Sequence, residues 1–177
     1  MRYVALLRAI NLGKRQAKMD HLRAVFGGMG FKDVSTYVAS GNVLFNSGVK
    51  DEDKLIKKIE PALAAALGFE VPTILRNAEE MATAAGRLPL EELRADPRLR
   101  MYVSYFRRVP TAAERKAVEA LSTDLMEFTM HGRELHTLIR PPGDLVFAAN
   151  YVEKPLGQPG TARNWKSTLK LAELLNG

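Results

Sequence analysis

The sequence contains no cysteine. This absence excludes disulfide-stapled scaffolds, thiolate nucleophiles, cysteine-ligated zinc and iron–sulfur clusters. Histidine is scarce as well, and His21, His131 and His136 do not follow a metal-binding spacing, although the last two could approach each other across a predicted hairpin. We therefore expect neither a metal nor another cofactor.

Long hydrophobic runs are also missing: none approaches the roughly 20 residues of a membrane-spanning helix, and Tyr3–Leu7 is too short for a signal-peptide core. The composition, 46% hydrophobic and 26% charged, is that of an ordinary globular protein. We expect a soluble, cytoplasmic protein without a membrane partner. Walker loops, Gly-x-Gly-x-x-Gly, His-Glu-x-x-His and Gly-x-Ser-x-Gly are absent, and no general base stands out, so catalysis stays an open question.

The net charge of +6 is concentrated in the first third of the chain. Residues 1–50 carry only two acidic side chains against eight basic ones: Arg2, Arg8, Lys14, Arg15, Lys18, Arg23, Lys32 and Lys50. Such a field attracts polyanions and acidic ligands, although solvated surface charges would give the same composition.

The hydrophobic pattern predicts strand, helix, strand, strand, helix and strand over residues 1–86, the split β-α-β order of ferredoxin-like domains. Its first strand is dense enough in apolar residues to be covered on both faces. Residues 87–99 are predicted as a linker, and residues 100–177 as strand, helix, strand, strand and C-terminal helix. The fold class is thus α+β with two ferredoxin-like units, antiparallel sheets with helices on one face. The second unit lacks a final strand, and no residue-level repeat is visible.

Local signals predict several helix ends. Asp51 is expected to cap a helix that ends at Gly68, and Pro61 should kink or split this helix. Thr161 is expected to cap the last helix. Two pairs resemble capping boxes: Asn77 with Glu80, and Thr111 with Glu114.

Three polar clusters are candidates for a binding site. The first, Arg8–Arg15, is a basic loop after a strand, of the kind that aims backbone N–H groups and cations at an anion. The second comprises Tyr37 and the turn Ser40-Gly41-Asn42. A long solvated connection and an ordinary hairpin turn are the respective structural alternatives.

The third cluster, Thr161–Ser167, is predicted at a helix start. Arg163 and Lys166 would then lie at the positive end of the helix dipole, which is unfavourable unless an anion or an acidic surface is near. The alternative is that Arg163 pairs with a carboxylate and that Trp165 fills the core.

Five strings carry a family resemblance: Tyr3–Gly13, Lys18-Met19, Thr36-Tyr37, Ser40–Val43 and Thr161–Trp165. In these strings, which follow one another over nearly the whole chain, the sequence resembles an uncharacterised bacterial family, domain of unknown function 1697. The resemblance implies an α+β protein of two ferredoxin-like units and carries no established activity.

The sequence departs from the family pattern at three places. The family usually has Gly at Ala9, Asn-Thr at Lys166-Ser167, and Ser-Lys after the Pro-x-Gly segment, where this chain has Phe147–Ala149. The first change matters if a ligand must approach the loop closely. The third removes a nucleophile-like or phosphate-contacting pair and so weakens an enzymatic interpretation.

The sequence leaves three functions open. The first is binding of a small anionic or nucleotide-like ligand at the junction of the two units, with Arg8 and Arg163 as a clamp and asparagine side chains orienting the ligand. The second is a nucleic-acid-binding module that uses the basic N-terminal third. The third is a structural or interaction protein without a ligand. The candidate binding residues are Arg8, Asn11, Lys14, Ser40, Asn42, Arg163, Asn164 and Trp165.

Overall fold

The computed structural model describes residues 1–38, 41–142 and 150–177. It divides into two compact units. Unit 1 comprises Met1–Met81 and Leu171–Gly177, and unit 2 comprises Ala82–Lys170. Each unit contains a four-stranded antiparallel sheet with helices, which confirms the predicted α+β class and its ferredoxin-like units. Among the described residues, no helix is both long and apolar enough to cross a membrane.

The sheet of unit 1 has the strand order β2-β3-β1-β4, so its first strand lies in the interior. Its elements are β1 (Arg2–Leu7), α1 (Met19–Gly28), β2 (Lys32–Thr36), β3 (Asn42–Asn46), α2 (Glu52–Leu67) and β4 (Thr73–Asn77). The helix α3 (Ala78–Gly86) follows β4 and continues into the residues of unit 2.

Both faces of β1 are buried, as its apolar density predicts. Tyr3, Ala5 and Leu7 belong to the core cluster that also holds Phe26 of α1. Val4, which alternation places on the opposite face, is completely buried as well. Strand β1 is therefore a fully covered interior strand.

The ends of helix α2 are set by the residues that the sequence predicts, whereas its interior proline does not interrupt it. The Asp51 side chain accepts a hydrogen bond from the Lys54 N–H at 3.0 Å, and Gly68 ends the helix in the left-handed conformation, both as predicted. Pro61 does not split the helix, so that part of the prediction is wrong. The buried residues Ile59 and Leu63 lie on either side of Pro61, and their packing offsets the roughly 3 kcal/mol that an interior proline costs.

The sheet of unit 2 has the equivalent order β6-β7-β5-β8. Its elements are α4 (Leu90–Ala95), β5 (Arg100–Phe106), α5 (Ala112–Glu119), β6 (Met126–His131), β7 (Glu134–Ile139), α6 (Asn150–Leu156) and β8 (Gly160–Asn164). Helix α7 (Trp165–Asn176) begins in unit 2, and its residues from Leu171 onward belong to unit 1. Thr111 and Glu114 form the predicted capping box at the start of α5, and Asn77 and Glu80 form the one before α3.

Strand β8 was not predicted, and its presence completes the second unit. It pairs antiparallel with β5, so Thr161 lies inside a strand and is not the cap of the last helix. The segment has no alternating hydrophobic pattern, which is why its sequence does not indicate a strand. Close packing favours it instead, because a Cβ on Gly160 would lie 2.5 Å from Cε1 of Phe106.

The two sheets also reveal a residue-level repeat that is not visible in the sequence. In both units the first strand carries Tyr-Val and the fourth strand ends with Arg-Asn, and the register pairs these residues in the same way. The repeated pairs are Tyr3 with Asn77 and Val4 with Arg76 in unit 1, and Tyr102 with Asn164 and Val103 with Arg163 in unit 2. Loops of different length separate these short strings, so only the strand register aligns them.

Candidate functional site

The loop between β1 and α1, residues 8–18, is anchored at its start. The Arg8 N–H donates to the Pro72 carbonyl at 3.0 Å, and the side chain of Ile10 is buried. Between them, Ala9 adopts a φ of 54°, in the left-handed region that favours glycine. This conformation gives a backbone reason for the glycine that the family usually has at Ala9, independent of any ligand.

The side chain of Asn11 bridges the two ends of the loop. Its Oδ1 accepts a hydrogen bond from the Ala17 N–H at 2.9 Å, and the Arg15 N–H donates to the Leu12 carbonyl at 3.1 Å. Gly13 turns the chain between these bonds with a φ of 60°. These bonds fix the loop backbone, and with it the Cα positions of the loop cations.

This fixed loop borders a pocket of about 590 Å³, called the loop pocket below. The residues that line it are Asn11, Gly13, Arg15, Gln16, Ala17, Lys18, Met19 and Asp20. Lys14 is exposed on the same loop but lies outside the lining. The guanidinium of Arg15 lies 4.9 Å from the ring centroid of Phe69, a cation–π contact that orients it.

The electrostatics of the loop pocket favour an anion. Its one acidic lining residue, Asp20, is paired with Arg23. Over the described residues, no carboxylate lies within 4 Å of the charged groups of Arg15 and Lys18. The N-cap residue Lys18 gives no side-chain hydrogen bond to the first turn of α1, whose N–H groups carry the positive end of the helix dipole.

The second cluster lies beside the first, in unit 1. The Leu7 N–H donates to the Gly41 carbonyl at 2.8 Å. Gly41 has a φ of 84°, and a Cβ there would lie 2.8 Å from Cδ1 of Ile10. Asn42 is completely buried, and its amide donates to the Tyr37 carbonyl at 2.8 Å, so it fastens the hairpin. Ser40 lies outside the described residues, as does the segment Phe147–Ala149.

The third cluster lies in unit 2, at the end of β8. Arg163 is buried within the strand, not in a helix turn as predicted, and its Nη1 donates to Thr161 Oγ1 at 2.7 Å and to the Ala162 carbonyl at 2.9 Å. Burial lowers the pKa of Arg163 to about 10, because it removes water from the guanidinium. The register therefore removes Arg163 from the predicted conflict with the helix dipole.

Helix α7 begins at Trp165, directly after this strand. Asn164 caps it, since its Oδ1 accepts from the Ser167 N–H at 2.8 Å. Trp165 is half-buried, and Lys166 Nζ lies 5.6 Å from the centroid of its ring. Of the predicted site residues, unit 1 thus holds Arg8, Asn11, Lys14 and Asn42, and unit 2 holds Arg163, Asn164 and Trp165. That the two sets bind one ligand stays a prediction.

The predicted approach of two histidines across the β6–β7 hairpin is observed. The rings of His131 and His136 lie 5.2 Å apart, and His131 Nδ1 lies 2.8 Å from Nη1 of Arg87. His136 Nε2 contacts the Ala84 carbonyl at 3.1 Å, and burial lowers the pKa of His136 to about 4. Within the described ranges, no group of three or more potential ligands could hold a metal.

Arg15 and Lys18, the two basic residues that line the loop pocket, are not among the predicted binding residues. Arg15 belongs to the first polar cluster, Arg8–Arg15, so the cluster itself could have indicated it. Lys18 lies beyond that cluster, and only the charge count of the first third could have indicated it.

Comparisons with known proteins agree with this fold. The model of the family described as "Protein of unknown function (DUF1697)" matches residues 1–136. No curated protein matches. A conserved bacterial protein, SP0830 from Streptococcus pneumoniae, has a similar solved structure, with a TM-score of 0.76 and 23% sequence identity over 99% of this chain and 98% of that chain. At that identity the likeness extends to the fold alone.

Proposed function

We propose that this chain, which belongs to the DUF1697 family, binds a small anionic ligand at the loop pocket of unit 1. The family has no established activity, so the proposal rests on the residues of this chain. The observation that carries the proposal is that Arg15, Lys18 and the start of α1, which has no side-chain cap, all line one pocket. A phosphate or carboxylate there would accept hydrogen bonds from both backbone and side chains.

The geometry supports a ligand with a compact anionic group. Three sources of positive charge border the loop pocket: the guanidinium of Arg15, the ammonium of Lys18 and the first-turn N–H groups of α1. Phosphate and pyrophosphate match this arrangement because they present several strong acceptor oxygens within a small volume. Lys14, exposed on the same loop, would attract the ligand before it binds.

Isothermal titration calorimetry with pyrophosphate tests the proposal. We expect saturable binding that the double variant Arg15→Gln/Lys18→Gln weakens about tenfold or more, because two charge-assisted interactions are lost. The matched control is Lys50→Gln/Lys57→Gln, which removes the same charge from exposed positions outside the pocket and should change the affinity less than about twofold. Equal losses in the two double variants would contradict a defined site.

A more specific version of the proposal is that Arg163, Asn164 and Trp165 contact the same ligand. In that case, Arg8→Ala and Arg163→Ala should each abolish pyrophosphate binding. The burial of Arg163 and its bonds within β8 favour the alternative, a structural residue. In that case Arg163→Ala would lower the free energy of unfolding and leave the affinity of the folded protein unchanged.

Nucleic-acid binding remains the second candidate, favoured by the exposed cations of the first third. Stacking of bases on the sheet of unit 1 is not supported, because Tyr3, Val4 and Leu6 are buried. A nucleic acid would therefore contact charges alone, and its affinity would fall steeply with salt. Titration with a short oligonucleotide at two salt concentrations separates this candidate from a compact anion site.

A further inference from the structure

A second, larger pocket of about 770 Å³ lies where β1 begins, whereas the loop pocket follows the end of that strand. We call it the basic pocket. It forms where α1 ends and the chain turns at Gly30, whose φ is 85°, and where the segment Ser47–Val49 connects β3 to α2. All its lining residues belong to unit 1.

The rim of the basic pocket is cationic. Its lining includes four basic side chains, Arg2, Lys32, Lys54 and Lys58, and no acidic one. Strand register aligns two of them, because Asn46 pairs with Arg2 of β1 on one side and with Lys32 of β2 on the other.

Neighbouring carboxylates leave this charge largely uncompensated. Asp51 lies 3.8 Å from Lys54 in an exposed pair, and Asp33 accepts a hydrogen bond from Asn46. Across the described part of the chain, neither Lys32 nor Lys58 has a carboxylate within 4 Å. Exposed pairs such as Lys54 with Asp51 contribute little, so the positive potential of the rim persists.

Arg2 adds a hydrogen-bond donor, the Nε–H group, that lacks an acceptor among the described residues. Its Nε is buried and has no hydrogen-bond partner among the residues that the structure describes. A buried donor without an acceptor is costly, and an anion oxygen near the guanidinium would remove that cost.

The floor of the basic pocket is apolar. Phe31 is buried to 9% exposure and packs against Phe45, with ring centroids 4.5 Å apart and ring planes tilted by 40°. Leu55 of α2 also lines the pocket. Lys58 Nζ lies 5.3 Å from the Phe31 ring, so cation and aromatic surface adjoin. Val49 completes the apolar lining and remains 44% exposed.

The geometry points to a binding site for a phosphate monoester that carries an aromatic or other apolar substituent. The dianionic phosphate would contact Arg2, Lys32 and Lys58, and the substituent would lie on Phe31, Val49 and Leu55. This inference is independent of the loop pocket, which offers cations and a helix start but no comparable apolar floor.

Calorimetric titration with phenyl phosphate tests the inference, with inorganic phosphate as the second arm. The full chain carries Arg15→Gln/Lys18→Gln in both arms, so that the loop pocket contributes little phosphate binding. We expect phenyl phosphate to bind at least about tenfold more tightly, because only it uses the apolar floor. The variant Lys32→Gln/Lys58→Gln should weaken phenyl phosphate about tenfold or more. Val49→Ser should weaken phenyl phosphate and leave inorganic phosphate unchanged.

Matched controls make the outcome decisive. Lys57→Gln removes a charge from the same helix outside the lining and should have less than a twofold effect, on the order of an exposed charge. Compared with the wild type, Arg15→Gln/Lys18→Gln should weaken pyrophosphate binding at the loop pocket about tenfold or more and leave phenyl phosphate binding at the basic pocket intact. Equal affinity for phenyl phosphate and inorganic phosphate, or a loss in Lys57→Gln as large as that in Lys32→Gln/Lys58→Gln, overturns the inference.

Discussion

The two units differ most in the connection that follows their first strand. In unit 1 this connection spans residues 8–18, and in unit 2 it spans residues 107–111. Both begin with arginine, Arg8 and Arg107, after strands that share Tyr-Val and the same pairing with a fourth strand. The shared framework therefore supports a long loop in one unit and a short one in the other.

The basic side chains of the two connections differ in whether a carboxylate neutralises them. In unit 2, Arg108 binds Glu114 through two hydrogen bonds of 2.7 and 2.8 Å and donates a third to the Leu156 carbonyl at 3.0 Å. The guanidinium of Arg108 lowers the pKa of Glu114 to about 2. In unit 1, Arg15 and Lys18 instead line a pocket. Arg108 is thus neutralised within the protein, whereas Arg15 and Lys18 stand available to the ligand that we propose.

The largest predicted effect contrasts two turn glycines with positive φ. Gly41→Ala should lower the free energy of unfolding by about 3 kcal/mol, because left-handed strain adds to a clash with buried Ile10. Gly132→Ala should cost only about 1 kcal/mol, since its Cβ would meet nothing closer than 3.8 Å. Urea unfolding measures both values, and equal costs would show that packing does not distinguish the hairpins.

Acidification should expose a weakness that is particular to unit 2. His136 has its pKa lowered to about 4 by burial, whereas in the unfolded chain it titrates near 6.5. Between these values the unfolded state binds more protons, so stability falls as the pH decreases. From neutral pH to about pH 4.5, the wild type should lose about 2 to 3 kcal/mol more than His136→Gln.

The control for this prediction is His21→Gln in unit 1, where the histidine is exposed. Its unfolding free energy should follow the same pH dependence as the wild type. An unchanged pH slope in His136→Gln would mean that the buried histidine is not the acid-labile group.

The repeated Arg-Asn strings should give matched losses. Asn77 and Asn164 each accept a hydrogen bond from the backbone N–H three residues later, at 2.9 and 2.8 Å. Asn77→Ala and Asn164→Ala should therefore each cost about 1 kcal/mol. Thermal unfolding compares them, and a loss in only one variant would show that the repeat is limited to backbone geometry.

The smallest predicted effect is a gain in stability. Ala9→Gly should raise the free energy of unfolding by about 0.5 to 1 kcal/mol, because relief of the left-handed strain exceeds the added chain entropy. Arg108 follows Arg107 as Ala9 follows Arg8, but its φ is not positive. Arg108→Gly should therefore be destabilising, because it relieves no left-handed strain and removes the hydrogen bonds to Glu114 and Leu156. Chemical unfolding of both variants checks the sign.

Local chemistry made much of the fold predictable from the sequence. Caps such as Asp51 and the box of Thr111 with Glu114 act within one turn of chain, so their signals survive without tertiary context. Strand β8 depends instead on a ladder to β5 and on the fit of Gly160 against Phe106. No pattern within the segment itself indicates such contacts.

The candidate site was predictable only in part for the same reason. The basic loop was recognisable from its composition, but the bond from Asn11 to Ala17, which sets its shape, joins two polar groups whose pairing no spacing rule gives. Arg163 was placed in a helix because its strand was missed. The basic pocket combines Arg2, Lys32 and Lys58 from three elements, and a sequence does not reveal that they adjoin.

We expect the first connection of unit 1, and not its counterpart in unit 2, to bind a compact anion. Amide NMR spectra recorded during titration with pyrophosphate test this difference. Saturable shifts should be confined to residues 11–20, with residues 107–111 unchanged. Absence of saturable shifts in residues 11–20, or equal shifts in both connections, would contradict it.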